Sequence, residues 1–167
     1  MAEATTAMAV RTSPVILLIL LLAAACCRPT GDFHLVSTET AREEGGAFRF
    51  EIPVTDSGLV VTTSLAARLV TSRVAQAQIE LDFHITPPDG ETFIERHTFP
   101  LEAAPGVRIN LGPGSVTDFE WPWREIRTGG SPAGTWTISI IPSDPALLDA
   151  LYGLGLSYET SIWEKAN

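Results

Sequence analysis

Gly134-Thr135-Trp136-Thr137-Ile138-Ser139-Ile140-Ile141 is a glycine followed by strict alternation. Trp136, Ile138 and Ile140 point to one side, and Thr135, Thr137 and Ser139 to the other. Successive side chains of a strand leave on opposite faces, so this is a strand with one face on a core and one in water. Working outward, the same pattern recurs on both sides. Downstream, Ser143-Asp144-Pro145 reads as a helix start, with proline at an early position. Pro145–Leu151 is expected to form a short helical turn. Leu154, Leu156, Tyr158, Thr160 and Ile162 then alternate with Gly153, Gly155, Ser157 and Glu159 in a last strand.

Upstream, Val74–Thr86 carries Ile79, Leu81, Phe83 and Ile85 on one side and Glu80, Asp82 and His84 on the other. Pro87-Pro88-Asp89-Gly90 turns it into a hairpin partner, Glu91–Phe99. Ala47–Thr55 alternates Phe48, Phe50, Ile52 and Val54 with Arg49 and Glu51, and Pro53 marks an edge position or a strand end. Val107, Ile109 and Leu111 make a short strand. Leu59–Val70 admits a strand or, from Ser64, a capped helical turn; the strand is favoured because nothing else helical is there to pair with it. Asp32–Thr38 reads as a first edge strand with Phe33 and Leu35 on one face, and Glu39–Gly46 as a polar loop. About eight or nine short strands, with turns roughly every ten residues, predict an all-β, antiparallel, jelly-roll-like β-sandwich.

The chain has 167 residues and a formal charge of −9. Lys165 is the single lysine and no basic run occurs, so there is no electrostatic footprint for nucleic acid or for anionic headgroups. Arg11, the apolar run Val15–Leu22 and the small residues Ala23-Ala24-Ala25 read as a cleavable signal peptide over residues 1–25, with Met8 an alternative start. Ala24-Ala25-Cys26 resembles the end of a bacterial lipoprotein signal. The resemblance implies lipidation at Cys26; a linker over 26–31 would then lead to the sandwich domain, read from the strand pattern as 32–163. It further implies tethering by acyl chains, with the outer membrane as location because Cys27 is not acidic. Plain secretion after cleavage at Ala25 and an uncleaved anchor are the other readings. Both cysteines, Cys26 and Cys27, precede the domain, so it holds no disulfide, zinc–thiolate site or cysteine nucleophile.

Two segments carry a further resemblance. Ile79-Glu80-Leu81-Asp82-Phe83-His84-Ile85-Thr86-Pro87-Pro88-Asp89-Gly90-Glu91-Thr92, followed in order by Gly134-Thr135-Trp136-Thr137-Ile138-Ser139-Ile140, resembles the P domain of subtilisin-like proprotein convertases. That likeness covers about Val74 to Tyr158. It implies a jelly-roll sandwich with an accessory or binding role, and it lends no catalytic residue because no protease domain accompanies it.

Three constellations could carry chemistry. Glu80, Asp82 and His84 share one face of one strand, about 6–7 Å apart in succession, and are weak candidates for a divalent cation such as calcium. They equally fit an ordinary wet strand face, and a line of ligands needs a loop carboxylate to converge. His34, His84 and His97 lie in no triad motif, and no serine sits in a Gly-x-Ser-x-Gly turn. Phe119, Trp121 and Trp123 recur at spacing two, with Arg124 and Arg127 beside them. If extended and exposed, these rings would stack on a sugar or anchor a protein partner; if turned inward, they are the lid of a core. The expectation is a non-catalytic binding module that contacts another exported protein or a surface glycan through Phe119–Arg127. A carbohydrate-binding domain and a small metal-dependent hydrolase are the alternatives.

Overall fold

The computed structural model describes residues 30–56, 58–128 and 132–162. The predicted signal segment, Cys26 and Cys27 lie outside them. Nine strands are present among the described residues: β1 (Thr30–Ser37), β2 (Phe48–Val54), β3 (Leu59–Val70), β4 (Gln78–Thr86), β5 (Phe93–Pro100), β6 (Arg108–Leu111), β7 (Val116–Arg127), β8 (Gly134–Pro142) and β9 (Leu151–Ile162). They form two antiparallel sheets, ordered β1-β9-β3-β7-β6 and β2-β8-β4-β5. The chain runs out through β1 to β4 and returns through β5 to β9. Each outgoing strand pairs antiparallel with a returning one: β1 with β9, β2 with β8, β3 with β7, and β4 with β5. Coiling such a long hairpin into two layers gives the jelly roll, and β6, between β5 and β7 in the chain, adds an edge strand to the five-stranded sheet.

The alternation in β8 does what its composition requires. Trp136, Ile138 and Ile140 are buried between the sheets, and β2 answers with Phe48, Phe50, Ile52 and Val54. One rung across the four-stranded sheet joins Phe48, Ile140, Phe83 and Glu95, apolar until its edge. Each such fully buried side chain stabilises the fold by about 1.5–3 kcal/mol. Leu59–Val70 is extended throughout, with Val61, Leu65, Ala67 and Leu69 inward. Pro53 stands on β2, an edge strand of its sheet.

The polar segment after β1 is not a loop. Thr38–Glu43 forms one helical turn and more, α1, capped by the Ser37 hydroxyl, which accepts from the Thr40 amide at 3.1 Å. Ala41 is buried, and the Thr38 hydroxyl donates to the Leu151 carbonyl at 2.7 Å. With so few inward residues, this helix has no apolar stripe by which to announce itself. Pro145–Asp149 is a 3-10 turn with Asp144 as its cap, close to the expected short helix. A further 3-10 turn, Thr71–Arg73, follows β3, and β4 begins at Gln78, four residues later than the expected Val74.

Candidate functional site

The expected aromatic row on β7 is not a surface. Phe119 and Trp121 are 3% and 2% exposed, stacked at 5.4 Å between the sheets. The Trp121 indole N–H donates to the Pro100 carbonyl at 2.8 Å, tying β7 to the end of β5. Both are core side chains and are corrected as ligand contacts. Trp123 sits at a β-bulge, skipped by the ladder in which Thr63 pairs with Arg124 and Ser64 with Pro122. Its ring stacks on Phe83 at 4.3 Å, and its indole nitrogen is buried without a partner among the described residues.

The bulge also shifts the phase of β7. Arg124 now shares a rung with the inward Thr63 and reaches across the sandwich to Glu95, with both carboxylate oxygens at 2.9 Å. His97 adds a contact to Glu95 at 3.0 Å, and Arg124 lies 5.9 Å from the Trp123 ring centre. This cluster plugs the sandwich edge. Arg127 faces the opposite way and pairs with Glu125 at 3.1 Å. The five residues therefore do not converge on one exposed surface.

Glu80, Asp82 and His84 do lie on the outer face of β4. The Asp82 carboxylate, however, is held by Arg96 at 2.7 and 3.0 Å and accepts from the Ser143 hydroxyl at 3.2 Å. Among the described residues, no group of three or more His, Cys, Asp or Glu is placed to hold a metal. The row is thus not a convergent ligand set.

Three carboxylates sit below their ordinary range. Asp82 is lowered by its hydrogen bond from Arg96, and Asp118 by one from Arg68. At Glu95 burial opposes the charge most strongly, but hydrogen bonds from His97 and Arg124, with their charges, outweigh it. A lowered carboxylate contributes stability that is present above its unfolded-state value and is lost as pH falls through its folded-state value. The ordinary values are 3.8 for the aspartates and 4.5 for Glu95. The denaturation midpoint should hold steady through neutrality with respect to these groups and fall below about pH 4.5. Glu95→Gln should lower the midpoint at neutral pH and blunt the acid loss. An acid limb identical in both proteins would refute the assignment.

The open site is elsewhere, on the outer face of the five-stranded sheet, and the strand register builds it. One rung runs Leu35, Gly155, Ala66, Glu120, Arg108, and the next runs Ser37, Gly153, Arg68, Asp118, Asn110. In these rungs β9 contributes Gly155 and Gly153 and β3 contributes Ala66, small residues set between Leu35 on one side and Arg68, Asp118 and Glu120 on the other. A trough of about 720 Å³ results. Phe33 and Leu35 line its β1 side, 53% and 63% exposed. The opposite side holds two ion pairs. Arg68 donates to Asp118 at 2.6 and 2.9 Å, and Arg108 to Glu120 at 3.1 and 3.3 Å. Tyr152 is the residue skipped by the ladder where β9 slips against β3, and it stands 56% exposed at the trough.

The glycine at position 155 has a specific role. A Cβ there would fall 2.5 Å from Cζ and 2.7 Å from Cε2 of Phe33, so the far edge of that ring rests on the bare backbone. Alternation puts Gly153 and Gly155 on the outward side of β9 and Phe33 with Leu35 on one face of β1. Only the pairing of β1 with β9 lays those residues side by side. Small residues at consecutive outward positions were the available signal.

No family model, curated protein or solved structure matches this chain.

Proposed function

We propose that the protein is an exported, membrane-tethered, non-catalytic binding module whose contact surface is the outer face of the five-stranded sheet. The observation that carries this is the trough, where three large apolar side chains stand exposed around a floor of glycine and alanine. A wet sheet face ordinarily carries polar residues, and an exposed apolar hollow with a few placed polar groups is the usual form of a binding site. The accessory role implied by the likeness to P domains supports the same reading. So does the lipoprotein-like Cys26, only a few residues before β1. The mature N-terminus, read by mass spectrometry, tests the tether: an unmodified Cys26 removes it.

The contact surface is tested by photo-crosslinking in the native envelope. Benzoylphenylalanine inserts into C–H bonds of protein and sugar alike. It is placed at Leu35 in the trough and, as control, at Glu51 on the outer face of β2. A discrete adduct from Leu35 alone is the expected result. Equal labelling from both positions, or none from either, overturns the reading.

A further inference from the structure

Resting on that reading, we infer that the trough takes an uncharged oligosaccharide. The first argument is charge. The chain carries −9 overall, yet the charged groups of the trough are matched in pairs, Arg68 with Asp118 and its neighbour in the next rung. An acidic ligand would meet the field of an acidic protein, and a basic one would find each carboxylate of the trough already held by an arginine. The electrostatic complement of a neutral, polar wall is a neutral, polar ligand.

The second argument is the division of the trough into apolar and polar sides. A pyranose has the same division, with apolar C–H faces and a rim of hydroxyls. Phe33, its far edge seated on Gly155 and half its surface open, offers a ring at a fixed height above the floor. Tyr152 offers a second, with a hydroxyl at its tip. Across from them, Asn110 supplies both an amide donor and a carbonyl acceptor. Arg68 uses Nε and Nη2 on Asp118, which leaves Nη1 for a sugar hydroxyl. The carboxylate of Asp118 keeps lone pairs for another. Hydroxyls satisfy such spare donors and acceptors without displacing the ion pair.

The third argument is shape. An open trough on a sheet face, floored by small residues from two central strands, accepts an extended chain of rings rather than enclosing one small molecule.

The purified protein is screened on an array of neutral and acidic glycans, and the hits are measured by titration calorimetry. Neutral glycans are the expected hits. Phe33→Ala and Tyr152→Ala should each weaken them by roughly tenfold or more, since each removes a ring's worth of buried apolar area. Both residues are exposed, so the melting temperature should stay unchanged, and Ile94→Ala, an exposed apolar change on the other sheet, should leave affinity intact. Binding only to acidic glycans, or neutral binding indifferent to both ring variants, overturns the assignment. If no glycan binds but the Leu35 crosslink carries a protein adduct, the glycan assignment fails and the binding-module reading stands. If neither glycan nor crosslink appears, both fail.

Discussion

Trp121→Ala is expected to lower the unfolding free energy by about 3–5 kcal/mol, the range for deleting a buried aromatic side chain. The indole is 2% exposed, stacked on Phe119 and tilted against Phe99 at 5.2 Å. Its loss leaves a cavity between the sheets. It also strips the part-buried Pro100 carbonyl of the N–H that reaches it at 2.8 Å, adding to the cost. Domains of this size are stable by about 5–15 kcal/mol, so the variant should unfold at a much lower guanidinium concentration with an unchanged slope. Arg127→Ala, whose partner Glu125 is exposed beside it, should change stability by no more than about 0.5 kcal/mol. A loss of less than about 1 kcal/mol for the tryptophan variant would show that Trp121 does not carry the contact between the layers.

Gly153→Ala should detach β1. A Cβ at this position would stand 2.7 Å from the Val36 carbonyl oxygen and 3.5 Å from the Ser37 Cα. Both obstacles are backbone, so no rotamer change relieves them. β1 is an edge strand whose one sheet partner among the described residues is β9, and the cheapest relief is for it to back away. The expected cost is about 1–3 kcal/mol, the range for overpacking. Amide hydrogen exchange should speed up for Phe33 to Ser37 while β8 and β4 keep their protection. Since Phe33 and Leu35 line one side of the trough, ligand binding should fall with it.

Gly155→Ala separates the two roles. Its Cβ would meet the end of the Phe33 side chain, which can swing aside. That variant should lose trough binding with β1 still protected. If Gly153→Ala leaves exchange in β1 unchanged, the close approach of these backbones is wrong.

The corrected residues show how far a strand pattern reaches. Alternation at Phe119 and Trp121 establishes that the two rings share a side. Whether that side is covered depends on a second sheet, and here β5 supplies Phe99 and the Pro100 carbonyl against them. Arg124 is a sharper case. In unbroken alternation it would face away from Trp121, yet a bulge between Pro122 and Arg124 turns it toward Glu95, far away in sequence. A bulge is set by how β7 fits β3, and nothing in Trp-Pro-Trp-Arg alone requires it. The helix α1 escaped for the opposite reason: it depends on a Ser37 cap and one buried alanine, too few residues to form a period.

Residue order by itself determined the class of fold and the inward set of most strands. Period two is a property of the strand backbone, so Phe48 to Val54, Ile79 to Ile85 and Trp136 to Ile140 are local statements that remain true in the folded chain. The tertiary structure alone decided the trough. Leu35, Gly155, Ala66, Glu120 and Arg108 come from five strands and become neighbours only through pairing register. Shifting any strand by one residue would send its whole outward set inward, and that register is held by the packing of the buried faces.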